Sequence, residues 1–281
     1  MTRIGQGIGV VVLVAAVAAG LWWWRSAPAP APDAPAAAPP VASAEPPTPV
    51  PSAALPAVRY PIGASAAQAE AATASTGPAS ALKQALDELL GPQAVLQWLQ
   101  LDDFARRLVA TVDNLPREHA AARLWPVHPT PGRFGPNETP QGAVIGAGNH
   151  ARYTAFVDWI ERVDSRRAVA VYRSLYPMFQ SAYEDLGFPG RHFNDRLVDV
   201  IDHLLATPEP TTPLAVRLVE VKGDVPSLRP WVRFEFSDPG LQARSAGQKL
   251  LLRLGPEHQR RLKAKLAEVR SLVTQPAPGG S

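Results

Sequence analysis

Apolar residues from residue 80 onward recur mainly at intervals of three and four, the spacing that lines one face of an α-helix. Residues 216–221 and 231–236 alternate with a period of two instead, which predicts a small β-hairpin. Residues 124–148 hold five prolines and five glycines without a sustained period, so we expect a long loop there. The pattern therefore predicts one compact, mainly α-helical domain over residues 80–275, followed by a disordered tail over 276–281.

Two of the predicted helices carry distinctive stripes. A helix that starts at Asp164 or Ser165 is expected to kink or break at Pro177, because proline cannot continue the helical hydrogen bonds. Its aromatic residues could form a platform for stacking sugars, but their spacing favours packing in the core. These residues are Tyr172, Tyr176, Phe179 and Tyr183. The last helix, predicted over 256–273, is expected to bury Leu262, Leu266, Val269 and Val273.

The N-terminal residues 1–25 have a different pattern. From Ile4 to Trp24 there are 21 residues with Gln6 as the one strongly polar side chain, enough helix for about 31 Å of bilayer. The run ends in three tryptophans, and Arg25 follows it, as at a membrane interface. Residues 4–24 are therefore expected to be a transmembrane signal anchor in the lipid bilayer, with a cleaved secretory signal as the alternative. The weak excess of positive charge at the N-terminus favours an N-terminus in the cytoplasm.

A tether is predicted between the anchor and the domain, over residues 26–79. Of the 37 residues in 26–62, 12 are proline and 12 are alanine, a composition typical of an extended, solvated chain. Fully extended, these residues could span on the order of 115 Å. The tether could serve as a stalk that carries the domain away from a membrane, or its composition could reflect only a GC-rich genome.

Composition and charge exclude several classes of site. The chain has no cysteine, which excludes disulfides, a thiol nucleophile, cysteine-ligated zinc and iron–sulfur clusters. A net charge of +3 is too small to indicate nucleic-acid binding, and no nucleic-acid partner is expected. The last helix alone has a surplus of three positive charges, suited either to an anionic partner or to a solvated face. Its charged residues are Arg260, Arg261, Lys263, Lys265 and Arg270, against Glu257 and Glu268.

The helix predicted over 192–206 carries the best candidate chemistry. Helical geometry places six of its polar side chains within about 120° of one another. These are His192, Asp195, Arg196, Asp199, Asp202 and His203. They could form a general acid–base site or a metal site, or a solvated face with charge pairs four residues apart. No third element with further ligands can be identified, so no catalytic, cofactor or metal residue is assigned.

Four runs in the domain resemble a known bacterial family. The runs are FARRLVATVDNLPR from Phe104, YPMFQ from Tyr176, NDRLVDVIDHLLATP from Asn194 and SAGQKLLLRLGP from Ser245. They are similar to the family called domain of unknown function 3014. The resemblance implies an inner-membrane-anchored envelope protein without an assigned activity, with its C-terminal domain in the periplasm. Within the matching motifs, the first residues for mutation are Asn194, Asp195, Arg196, Asp202 and His203.

These observations lead to one main hypothesis. The chain is expected to be a single-pass inner-membrane protein whose periplasmic helical domain binds or scaffolds another cell-envelope component, protein or polymer. One alternative is a hydrolase of a peptidoglycan-type polymer that uses the polar face around 192–203. Another is a metal-binding sensor domain.

Overall fold

The computed structural model describes residues 57–62, 77–220 and 229–276. Within these ranges the chain forms eleven α-helices and two short antiparallel hairpins, which confirms the predicted mainly helical domain. The helices are α1 (Pro78–Leu90), α2 (Pro92–Trp98), α3 (Phe104–Asn114), α4 (Ala147–Ala151), α5 (Thr154–Arg162), α6 (Ser165–Ser174), α7 (Tyr176–Asp185), α8 (Phe193–Leu205), α9 (Pro239–Gln242), α10 (Ala246–Leu254) and α11 (Pro256–Val273). The strands are β1 (Asn137–Thr139), β2 (Gly142–Val144), β3 (Val216–Leu218) and β4 (Phe234–Phe236).

The predicted β-hairpin is present but shorter than its sequence pattern. Val216 pairs with Phe236 and Leu218 pairs with Phe234 in an antiparallel register. Residues 231 and 232, predicted as the start of the second strand, lie instead in a 3₁₀ turn over Pro230–Val232. Proline at the first position of this turn explains the difference, because its fixed φ suits a helical start and it has no N–H for a strand ladder.

The segment 124–148, predicted as a long loop, contains an element that its composition does not predict. This is the hairpin β1–β2, whose turn at Pro140 and Gln141 leads into Gly142 with a φ of 117°. The Ile145 N–H donates to the Leu214 carbonyl at 2.9 Å, and this bond joins the first hairpin to the second. Strands of three residues are too short to show a period of two, which is why the sequence pattern missed them.

The aromatic helix breaks where proline was expected to break it. Helix α6 ends at Ser174, and α7 begins at Tyr176 with Pro177 in its first turn. All four aromatic residues of the stripe are buried, which confirms the core interpretation. The ring centroids of Tyr172 and Phe179 lie 5.7 Å apart in a stacked arrangement.

Helix α11 lies at the centre of the domain. It packs against α5, α6, α8 and α10, and its predicted apolar stripe is buried. Helix α8 packs against α11 and α3, so the candidate helix is held from two sides. This arrangement brings Tyr60 and the end of α11 into contact with α8.

Gly247 on α10 is a point of close helix packing, and alanine there is expected to be destabilising. A Cβ at this position would lie 2.6 Å from Leu204 Cδ2 and 3.1 Å from the Leu115 carbonyl oxygen. We expect Gly247→Ala to lower the free energy of unfolding by roughly 1–3 kcal/mol through overpacking. Urea denaturation of the full-length protein measures this effect. In the matched control, Gly148→Ala on α4, a Cβ would meet no atom within 4 Å. It should raise stability by up to about 1 kcal/mol through helix propensity, and equal losses in both variants would contradict the packing argument.

No helix in the described part of the chain is both long enough and apolar enough to cross a bilayer. The predicted anchor over residues 4–24 lies outside the described residues, as do residues 26–56 and 63–76 of the predicted tether and 277–281 of the tail.

Candidate functional site

The seven candidate residues around α8 do not all share one site. His192, Asp195, Arg196 and Asp199 line one cleft, and the other three candidates lie outside it. The apolar side of α8 is buried in the main core, and His192 precedes its first turn. The candidate side chains leave the helix in different directions and contact different neighbours.

Asn194 is buried in the interior instead of lying on the polar face. Its side chain is 0% exposed. The Nδ2 group donates to the Tyr60 carbonyl at 2.9 Å and to the Val273 carbonyl at 3.1 Å. Its Oδ1 accepts a hydrogen bond from the Tyr172 hydroxyl at 3.2 Å. Asn194 therefore joins α8 to α6, to the end of α11 and to a segment that precedes the domain.

Tyr176 and Gln180 of α7 complete this buried network. The Tyr176 hydroxyl donates to Gln180 Oε1 at 2.9 Å and accepts from the Asn194 N–H at 3.3 Å. Gln180 Oε1 also accepts from the Phe193 N–H, so the first two backbone N–H groups of α8 have acceptors. Burial raises the pKa of the Tyr172 and Tyr176 phenols, which keeps both hydroxyls neutral and able to donate.

The segment that precedes the domain, residues 57–62, lies against α8, and we call it the clasp. The two oxygens of Asp195 accept from consecutive backbone N–H groups, from Arg59 at 3.0 Å and from Tyr60 at 2.8 Å. Arg59 Nη2 also pairs with Asp199 Oδ1 at 2.7 Å. Residues 57–62 therefore correct the prediction of a disordered tether over 26–79. A carboxylate that binds two adjacent N–H groups holds a chain that has no regular structure of its own.

Two further candidate residues, Arg196 and Asp202, hold neighbouring helices. Arg196 Nε pairs with Asp113 Oδ1 at 2.9 Å, and Arg196 Nη2 donates to the Asp113 carbonyl at 2.9 Å. Asp202 forms a two-point ion pair with Arg270 of α11. These contacts connect α8 to the end of α3 and to α11.

His203 lies as close to the Ser245 hydroxyl as a catalytic base lies to its nucleophile. Its Nε2 lies 2.8 Å from the Ser245 hydroxyl oxygen. Ser245 is only 8% exposed, and its hydroxyl oxygen accepts from the Gln248 N–H as the N-cap of α10. In the described residues no carboxylate contacts the other ring nitrogen of His203. The pair therefore has the geometry of a helix cap.

The burial of His203 predicts a loss of stability in mild acid. Burial, then Arg196 and Arg244, lower the pKa of this imidazole below 6.5. The unfolded chain thus takes up a proton at a pH at which the folded His203 stays neutral, so the free energy of unfolding falls as pH drops below about 6.5. The measurement is a series of urea denaturations between pH 7.5 and 5.5. His203→Gln should reduce the slope of the free energy of unfolding against pH, whereas His119→Gln at an exposed position should not. Equal slopes in the wild type and in His203→Gln would show that His203 does not cause the loss of stability.

The positive surplus of α11 is neutralised by other elements. Arg261 pairs with Asp158 and Glu161 of α5, and Lys263 pairs with Glu209 at 2.6 Å. The other three cations of the helix also have acidic partners: Arg260 with Glu257, Lys265 with Glu268 and Arg270 with Asp202. The pairs of Arg261, Lys263 and Arg270 connect α11 to its neighbours, so the structure favours neither an open basic patch nor an independent solvated face.

A metal or acid–base centre that used both histidines of the polar face would need them to converge, and they do not. His192 and His203 lie at opposite ends of α8, about 16 Å apart along its axis. In the described ranges no three histidine, aspartate or glutamate side chains are grouped to hold a metal ion.

Several residues of this surface were missed in the sequence analysis. They are Arg59, Tyr60, Asp113, Gln180 and Ser245. One signal was present for the clasp, since Arg59 and Tyr60 are a charged and an aromatic residue in a stretch dominated by proline and alanine. A second signal was the position of Asn194, which shares a helical stripe with Leu197, Val198 and Ile201.

Comparison with known proteins gives one match. No curated protein and no solved structure matches the chain. A family model described as a protein of unknown function, DUF3014, matches residues 104–270. The matched region runs from the start of α3 almost to the end of α11 and includes both hairpins and α8. It covers more than half of the chain, so this protein belongs to the DUF3014 family of uncharacterised proteins.

Proposed function

We propose that this chain is a single-pass inner-membrane protein whose helical domain binds or scaffolds another component of the cell envelope. The observation that carries the proposal is the clasp. It attaches the chain that follows the apolar run 4–24 to α8, at a point where Asn194 also contacts the end of α11. A force on the tether would therefore act on the centre of the domain.

The same contacts favour binding over catalysis. Asp195, Asp199 and Asp202 each accept hydrogen bonds from another part of the chain, and His203 caps a helix through Ser245. A general acid or base must reach the substrate proton. The carboxylates of α8 are instead engaged in contacts within the chain. This favours a binding domain over a peptidoglycan-type hydrolase or a metal-binding sensor.

The length of the tether limits how far from the bilayer such a domain could bind. Because the clasp begins at Ala57, 31 residues separate it from Arg25. At about 3.1 Å per residue, a fully extended chain of this length would reach roughly 95 Å. The domain could then contact envelope components well away from the bilayer.

Membrane location is tested with a reporter fused after Ser281. Alkaline phosphatase is active only after export, so a fusion in a bacterial host should be active if the domain lies in the periplasm. A reporter that is active only in the cytoplasm, such as a fluorescent protein that does not fold after export, should be dark at the same position. The reverse result would overturn the proposed location.

The scaffolding role is tested by crosslinking in intact cells that express the full-length chain. We expect a defined envelope protein or polymer fragment to be crosslinked to residues of the domain, with the same sites in repeated experiments. Crosslinks confined to the chain itself and to abundant neighbours in proportion to their concentration would contradict a scaffolding role.

A further inference from the structure

A cleft lined by arginines lies beside the clasp. It has a volume of about 340 Å³ and opens between the clasp, the end of α3, the segment after α7 and the first turns of α8. We call it the arginine cleft. Its charged lining residues are Arg59, Arg117, Arg191, Arg196, Asp113, Asp195 and Asp199.

Positive charge exceeds negative charge in the arginine cleft. Four guanidinium groups face three carboxylates, which leaves a surplus of one positive charge before His192 is considered. Asp113 is shared, because Arg117 and Arg196 both pair with it. Arg191 forms no ion pair with any acidic residue in the described ranges.

Contacts within the protein already engage the carboxylates of the cleft. Both oxygens of Asp195 are engaged by the clasp backbone, and Asp199 accepts from Arg59. The guanidinium groups have donors to spare, since each carries five N–H bonds. Among the residues that the structure describes, Arg59 and Arg117 each form an ion pair through Nη2 alone, and their side chains are 53% and 55% exposed.

Tyr183 adds a neutral hydroxyl to the cleft. Its ring stacks on Phe188 with centroids 4.7 Å apart, and both residues line the cleft. Burial raises the pKa of the Tyr183 phenol. Arg196 and Arg191 oppose this shift, whereas Asp113 and Asp199 add to it. The hydroxyl therefore stays protonated and can donate, and charged groups of both signs lie within its electrostatic reach.

We propose that the arginine cleft binds an oxyanion, namely a phosphate group on a small molecule. Arginine forks present paired N–H donors that match the oxygens of phosphate. A phosphate offers three or four acceptor oxygens to donors from the clasp, from the end of α3 and from Arg191. A carboxylate offers only two oxygens and a single charge, so it would leave part of the donor set unmatched.

The clasp forms one wall of this site, through Ala57 and Arg59. A bound phosphate would therefore contact both the tether and the domain. Phosphate binding in this cleft would give a ligand class to the binding role proposed above, and it rests on that role. The two proposals can fail separately, because the titration measures phosphate binding in the cleft and the reporter fusion measures the location of the domain.

The test is isothermal titration calorimetry of the full-length protein in a zwitterionic detergent at constant ionic strength, because salt screens exposed charges. The probes are inorganic phosphate, sn-glycerol 3-phosphate and acetate. Arg191→Gln is the test variant, because this side chain is exposed and its removal should leave the fold intact. Arg166→Gln, an exposed arginine on α6 that does not line the cleft, is the matched control for loss of one charge.

We expect saturable phosphate binding that Arg191→Gln weakens by about tenfold to hundredfold and that Arg166→Gln leaves within about twofold. Tighter binding of sn-glycerol 3-phosphate than of inorganic phosphate would assign the site to a phosphate ester such as a lipid headgroup. Equal or weaker binding of the ester would assign it to free phosphate. Any of three results would overturn the proposal: no saturable binding, equal weakening by both variants, or acetate binding as tight as phosphate.

Discussion

Replacing Asn194 by alanine is expected to lower the free energy of unfolding by roughly 3–5 kcal/mol, since each buried polar group left without a partner costs about 1–3 kcal/mol. The substitution removes the two donors that satisfy the Tyr60 and Val273 carbonyls. It also removes the acceptor for the buried Tyr172 hydroxyl. The surroundings cannot readily admit water, because the side chain of Asn194 is 0% exposed.

Urea denaturation of the full-length protein in detergent measures this loss. Asn194→Asp has nearly the same volume and retains acceptors, but it lacks both N–H donors and should be almost as destabilising. The matched control is Asn114→Ala, which removes one half-buried amide that bonds to the Ala110 carbonyl in its own helix. It should cost no more than about 1 kcal/mol. A loss for Asn194→Ala as small as that of the control would show that the network does not stabilise the fold.

Asp195→Asn is expected to release the clasp and to expose the Arg59–Tyr60 bond to trypsin. The amide can accept only one of the two clasp N–H groups, and its own N–H₂ group would face the other. Charge-assisted hydrogen bonds contribute about 1.5–3 kcal/mol each. Loss of one raises the population of the released clasp, and with it the cleavage rate, on the order of 10- to 100-fold.

The sequence makes this assay selective. Arg59 is the one lysine or arginine between Arg25 and Lys83, so cleavage there produces a single diagnostic fragment that begins at Tyr60. Limited proteolysis of the full-length protein, followed by mass spectrometry, gives the rate at this bond. Asp158→Asn is the control, because it breaks an ion pair with Arg261 on a different part of the domain. Rapid cleavage after Arg59 in the wild type, or equal rates in both variants, would show that Asp195 does not hold the clasp.

These two residues also show where sequence reasoning reached its limit. The helix, its polar face and the break at Pro177 could be predicted, because each depends on residues close together in the chain. The role of Asn194 could not, since its partners Tyr60 and Val273 lie 134 and 79 residues away. Helical periodicity assigns a residue to a face but does not say whether a polar residue on the buried stripe finds hydrogen-bond partners.

The basic surplus of α11 illustrates a related limit. The sequence correctly places the cations on one helix with a buried apolar stripe. Only the packing of α5 and α8 against that helix brings Asp158, Glu161 and Asp202 to Arg261 and Arg270. A count of charges along one helix therefore overstated the charge that a partner would meet.

The sequence by itself determined the helical class of the domain, most helix positions, the residues of the core and the expectation of an anchor and a tether, because periodicity and composition act locally. The tertiary structure alone decided that residues 57–62 lie on α8, that the charged face of α8 is occupied by internal contacts, and that four arginines surround one cleft. The physical reason is that ion pairs and buried hydrogen bonds join residues far apart in the chain, and their partners are chosen only when the helices pack.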